Sequence, residues 1–138
     1  MLKKTVVALA ALLATSLTSA APHAESFYVL SISAPTAKVN KEAVATVKVS
    51  SKGEAHINKK YPTRLTVRVP DGVSVKKAKQ TARDAVKLND STLEFQVAFE
   101  AEERGKKTIA GELRFATCQG EESCQQYTKR IWIDVDVE

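Results

Sequence analysis

The stretch Leu93-Glu94-Phe95-Gln96-Val97-Ala98-Phe99 decides the fold of this chain. A large apolar side chain stands at every second position, with Glu94, Gln96 and Ala98 between them. Successive side chains of an extended strand point to opposite faces, so this run has one face for a core and one for water. The same alternation recurs on both sides of it. Ala45, Val47 and Val49 alternate with Thr46, Lys48 and Ser50, and Leu65, Val67 and Val69 with Thr66 and Arg68. Leu113 and Phe115 alternate with Glu112, Arg114 and Ala116, and Ile131, Ile133, Val135 and Val137 with Trp132, Asp134 and Asp136. Period-two patterning of this kind marks half-buried strands. A sixth strand is expected over 27–32, and Val73 with Val75 supplies a short seventh.

Turn residues separate these runs. Ser51-Lys52-Gly53 closes one strand. Pro70-Asp71-Gly72 forms a turn, because proline presets φ and glycine accepts a positive φ. Asn89-Asp90-Ser91 precedes the Leu93 strand, and Arg104-Gly105-Lys106 separates two strands as a hairpin turn would. The stretch 75–88 is rich in Lys and Ala but has no apolar stripe, so it reads as a loop with at most one helical turn. Its run Lys76-Lys77-Ala78-Lys79 suits a loop or a sheet edge that resists aggregation. Six or seven short strands at these spacings predict an all-β, immunoglobulin-like antiparallel β-sandwich.

The first twenty residues read differently. Lys3 and Lys4 give a positive head, an apolar run follows over 5–17, and Thr18-Ser19-Ala20 supplies small residues before a cut after Ala20. This is the form of a signal peptide, and the apolar run is short of the roughly 20 residues a membrane-spanning helix needs. No cysteine stands at the cut to carry a lipid. The expectation is a mature chain over 21–138, one domain, not inserted in a membrane and exported to a bacterial periplasm. Loss of Lys3 and Lys4 lowers the formal net charge from +5 to +3. A nucleic-acid interface would need a basic stripe with stacking aromatics, and neither shows in the sequence. The two histidines, His23 and His56, form no metal-ligand cluster, and a His–Cys–Cys site would need reduced cysteines. No metal and no cofactor is expected. Trp132 falls out of phase with Ile131 and Ile133. It reads either as a surface aromatic lying over a neighbouring strand or as a docking contact.

Cys118 and Cys124 are the two cysteines of the chain, and five residues separate them. The strand ending at Ala116 runs into Cys118, and the last strand follows Cys124. The pair therefore flanks the tip of a hairpin, where Gly120 eases the turn and the Cβ atoms can reach disulfide range. In an oxidising compartment such a pair forms a disulfide. Its role has two readings. As a staple, a ring of about seven residues restrains the unfolded chain by about 2.4 kcal/mol. As a redox centre, a hairpin tip leaves the sulfurs open to a partner protein, since exchange needs access to a sulfur. Lys129 and Arg130 favour a thiolate here, and Glu121 and Glu122 oppose it.

From about Val44 to Val137 the chain resembles the N-terminal periplasmic domain of the thiol:disulfide interchange protein DsbD. The matching features run in order. They are Gly53 ahead of Tyr61 and Leu65-Thr66-Val67, then Val69-Pro70-Asp71-Gly72-Val73, then 93–97, then the strand from Gly111 to Thr117 entering Cys118. The resemblance implies an immunoglobulin-like fold. It also implies that Cys118 and Cys124 are a redox pair that passes electrons from a membrane domain to periplasmic protein partners. Three features depart from that family. Gln125-Gln126-Tyr127 stands where Tyr-Pro-Pro is common. Glu54-Ala55-His56 replaces an aromatic cluster. The stretch 74–80, which on the resemblance would form a cap over the cysteines, has no aromatic residue. The rival reading is a non-catalytic binding or adaptor sandwich with a structural disulfide. If the pair exchanges, Cys124 is the expected attacking sulfur, because it follows the turn while Cys118 continues a strand.

Overall fold

The computed structural model describes residues 27–138. The export segment expected over 1–20 and the first residues of the mature chain lie outside the described residues. The alternating runs form strands with their apolar residues inward, with Val69 the exception: its strand ends at Arg68, and Val69 is 41 % exposed. The strands are β1 (Tyr28–Ser33), β2 (Ala43–Ser51), β3 (Ala55–Ile57), β4 (Arg64–Arg68), β5 (Val73–Val75), β6 (Lys79–Thr81), β7 (Lys87–Leu88), β8 (Thr92–Ala101), β9 (Gly105–Gln119) and β10 (Ser123–Val137). One 3-10 turn, Ala82–Asp84, lies between β6 and β7.

All pairings between these strands are antiparallel. The first sheet has the order β1-β2-β8-β5, with β7 also on β8. The second has the order β10-β9-β4-β6, with β3 also on β9. This is the strand order of an immunoglobulin-like sandwich. Between the sheets lie Val47, Val49, Leu93, Phe95 and Phe99 from one side and Leu65, Ile109, Leu113, Phe115, Ile131 and Ile133 from the other. Each is at most 2 % exposed. Fully burying one such side chain is worth about 1.5–3 kcal/mol, so this apolar interior is the main stabilising element. At one edge Tyr28 of β1 meets Phe115 of β9 and Tyr127 of β10 edge-on across the gap between the sheets, and Phe115 and Tyr127 stack on each other, with ring centroids 4.6–5.0 Å apart. No helix among the described residues is long and apolar enough to cross a membrane.

Two expectations change. The Arg104-Gly105-Lys106 turn does not make a hairpin: β8 ends at Ala101 in the first sheet, and β9 starts at Gly105 in the second. The turn is an inter-sheet corner, because the buried residues of β8 and β9 face each other across the core rather than lying side by side. The stretch 75–88 holds more than a loop with a helical turn. It leaves the first sheet after β5, adds β6 to the edge of β4, makes the 3-10 turn, and returns to β8 as β7. Gln80, 5 % exposed, points inward from β6 and donates its side-chain amide to the Gln96 carbonyl at 2.8 Å.

Candidate disulfide site

β9 and β10 form a long hairpin, and Cys118 lies directly opposite Cys124 near its tip. The two form a disulfide, with S–S 2.06 Å and Cα atoms 4.0 Å apart. So close a Cα spacing belongs to the non-hydrogen-bonded positions of an antiparallel pair, where facing side chains meet. Gly120, with φ +67°, turns the chain between the strands, as its backbone freedom allows.

The hairpin tip carries the disulfide on the outer face of the second sheet. Phe115 and Thr117 of β9 point inward, whereas Arg114, Ala116 and Cys118 alternate to the other side. Along β10, Ile131, Ile133 and Val135 point inward, and Cys124 shares the phase of the outward residues. The two sulfur-bearing residues are unequal: Cys118 is 5 % exposed, and Cys124 is exposed.

The short strand β3 brings in a residue that the sequence reading set apart from the pair. His56 lies opposite Cys118, so His56, Cys118 and Cys124 form one row across β3, β9 and β10. Directly opposed residues place their Cβ atoms about 4.5–5.5 Å apart. The signal for this was the Ala55-His56-Ile57 alternation, with Ala55 and Ile57 buried. Three residues were too few to read as a strand. A cleft of about 490 Å³ opens beside the row, lined by His56, Lys59, Asp90, Cys118, Glu121 and Cys124. Lys59 binds Asp90 at 2.9 Å. By donating to Asp90 and by its charge, Lys59 holds that carboxyl below the usual aspartate range, and the nearby His56 adds to the effect. A smaller hollow of about 200 Å³ reaches Cys124 from the other side of the hairpin, walled by Phe27, Thr117 and Gln125.

The cations that share the cleft with the cysteines are therefore Lys59 and Lys60, not the expected Lys129 and Arg130. The Lys129 ammonium lies over the Tyr28 ring at 5.8 Å. Arg130 is six residues up β10 from Cys124, about 20 Å along a strand. The stretch 74–80 does not cover the disulfide. Val73 pairs with Ala101 at the other end of the sandwich, and Gln80 pairs with Leu65, level with Leu113 and five residues short of Cys118. Trp132 is 59 % exposed and lies opposite Ala110 on the outer face. No group of three His, Cys, Asp or Glu side chains among the described residues is placed to hold a metal ion. His23 lies outside the described residues.

No family model matches this chain, and no curated protein matches it. Among solved structures it is similar to an ASH/PapD-like domain of human CEP192. The identity is 10%, the match covers 90% of this chain and 96% of that one, and the TM-score is 0.43. It is similar to WR4, a C. elegans MSP family member, at 9% identity over 79% of this chain and 97% of that one, with a TM-score of 0.39. It is also similar to domains 4 and 5 of the S-layer protein SbsC, at 16% identity over 80% of this chain and 53% of that one, with a TM-score of 0.35.

Proposed function

We propose that this chain is an exported thiol–disulfide exchange domain of the DsbD N-terminal type, working through Cys118 and Cys124 on a protein partner. The observation that carries the reading is the asymmetry of the pair. An exposed cysteine at an outward-facing hairpin tip is bonded to a buried one, with an open cleft beside them. Exchange needs a reachable sulfur and a resolving sulfur held next to it. In the reduced domain the Cys124 thiolate attacks one sulfur of a partner disulfide. The partner S–S bond breaks, and its second sulfur leaves as a thiolate with the electron pair. The Cys118 thiolate then attacks Cys124, reforms the Cys118–Cys124 bond and expels the partner's first sulfur. Two electrons have moved to the partner, whose thiolates take protons from solvent. Lys59 and Lys60 in the cleft favour the thiolates, and Glu121 and Asp90, the latter paired to Lys59, oppose them.

The test is to trap the partner. Cys118→Ala removes the resolving sulfur and is expected to accumulate a mixed disulfide through Cys124 in periplasmic extracts. Cys124→Ala is expected to trap nothing. The reduction potential is expected above about −300 mV, the level below which structural bridges of secreted proteins resist the glutathione pool.

A second reading keeps the sandwich as a binding or adaptor module and the bridge as a staple. It is favoured by the bare surroundings of the disulfide, since the stretch 74–80 stays away from it. Under that reading neither variant traps a partner. The double variant loses about 2.4 kcal/mol of stability and nothing else.

A further inference from the structure

We propose that the outer face of the second sheet is the surface on which the exchange partner docks, and that the partner meets it with an acidic protein surface. The inference rests on the exchange reading for its purpose and on the sheet register for its content. Moving along β9 away from Cys118, the outward residues build successive rows. Arg64 of β4 lies directly opposite Arg114 of β9, which lies opposite Thr128 of β10. In the next row Lys79 of β6 faces Thr66, Thr66 faces Glu112, and Glu112 faces Arg130. In the third, Arg68 faces Ala110, and Ala110 faces Trp132.

These three rows thus gather Arg64, Arg68, Lys79, Arg114 and Arg130 around a single carboxylate, Glu112. That carboxylate accepts from Arg114 Nε at 3.0 Å. The other four cations have no ion-pair partner among the described residues. Asp134, one row beyond Trp132, accepts from the Thr108 hydroxyl at 2.8 Å.

Like charges directly opposite each other destabilise a sheet, so the Arg64–Arg114 pair works against folding. The first sheet does the reverse. On its outer face Glu94 stands in register between Lys48 and Lys87. One face alternates its charges across the ladder, and these three rows of the other concentrate one sign, with Asp134 and Asp136 lying beyond them. An unbalanced arginine cluster suits planar carboxylates, which its guanidinium groups can clamp in pairs. Trp132, exposed beside the small Ala110, adds an apolar anchor of the kind that dominates protein interfaces. The patch also lies where an exchange partner must approach. Arg114 is on the same face as Cys118 and four residues from it, about 13 Å along the strand. A standard interface of about 800 Å² per partner covers both.

The experiment uses the oxidised full-length mature protein and two reduced dithiol peptides of one sequence, flanked by glutamates in one and by lysines in the other. The rate of reduction of Cys118–Cys124 is measured at low salt and at about 1 M salt, where screening shortens to about 3 Å. The glutamate peptide is expected to react about tenfold faster at low salt, with the advantage gone at high salt. R64E/R114E is expected to reverse the preference. K38E/K41E, which changes net charge equally but on the β1–β2 connection, is expected to keep it. Should R64E/R114E fail to fold, K79E/R130E makes the same test. Equal rates for the two peptides, or loss of the preference in K38E/K41E, overturn the proposal. So does quenching of the single tryptophan by a mixed-sequence oligonucleotide but not by the glutamate peptide, which would assign the face to nucleic acid. Because the peptides need no physiological partner, this readout can fail while partner trapping through Cys124 succeeds, and the reverse.

Discussion

The Gln80 side-chain amide fills the place of a missing strand residue beside Gln96. The carbonyls of Glu94, Gln96 and Ala98 all face the open edge of β8. Val86 N–H takes the first at 2.9 Å and Lys76 N–H the third at 3.0 Å, both as strand neighbours would. Between them the chain has left for the other sheet, and Gln80 Nε2 reaches back to take the second at 2.8 Å. The detour stays compatible with a closed core because no buried side-chain polar atom among the described residues lacks a partner.

Gln80→Leu keeps the apolar bulk and removes the donor. It leaves the Gln96 carbonyl unpaired, which costs about 1–3 kcal/mol. Urea unfolding is expected to show a lower midpoint with an unchanged slope. An unchanged midpoint would mean that water replaces the amide and that the detour is held by β6 alone.

What the sequence made legible follows from strand length. The runs around Val47, Phe95 and Ile133 are long enough for alternation to repeat, and each became a strand facing the core. β3, β6 and β7 span two or three residues each, too few to alternate. The inward residue of β6 is a glutamine, which no apolar pattern can flag. The same limit hid His56: the cysteine pairing is local and was readable from spacing, but the row that adds His56 to Cys118 joins residues far apart in sequence through register alone. The basic face was hidden for the same reason. Arg64, Arg114 and Arg130 look like scattered charges until the ladder sets them side by side.

At Gly111, β9 comes close to its neighbours. A Cβ there would fall 2.9 Å from the Thr66 carbonyl oxygen and 3.1 Å from Ile131 Cγ1. The first obstacle is backbone of the paired strand and cannot turn aside. Gly111→Ala is expected to destabilise by about 1–3 kcal/mol, as overpacking does, and thermal denaturation monitored by circular dichroism would reveal it. A variant as stable as the parent would show that β4 shifts freely on β9.

Acid is expected to loosen the β6 detour. Lys77 donates to the Asp84 carboxylate, which also accepts from the Thr81 backbone N–H at 2.8 Å. These contacts hold Asp84 below its usual value, the Lys77 hydrogen bond most strongly. A carboxyl depressed in the folded state stabilises fully above its unfolded value of about 3.9 and stops doing so as the pH falls through its lower folded value. Asp90, held down by Lys59, acts in the same direction. Asp84→Asn should therefore flatten the fall in urea midpoint on acidification from about pH 5 to pH 2. Parallel pH profiles for parent and variant would remove Asp84 from this account.

The unequal burial of the two cysteines predicts unequal reactivity once the bond is opened. In reduced protein Cys124 stays at the surface, while Cys118 sits between β3 and β10 with His56 opposite it. A small alkylating reagent meets Cys124 directly but reaches Cys118 only when the hairpin tip or β3 opens. Even a modest opening free energy of about 1.4 kcal/mol slows the buried sulfur about tenfold. A short pulse of iodoacetamide followed by peptide mass spectrometry is expected to find the label on Cys124 first. His56→Ala takes away the side chain opposite Cys118 and is expected to narrow the difference by speeding Cys118 alone. If both sulfurs label at one rate in the parent, the order of attack assigned to Cys124 and Cys118 has no structural basis, even if the pair proves to exchange.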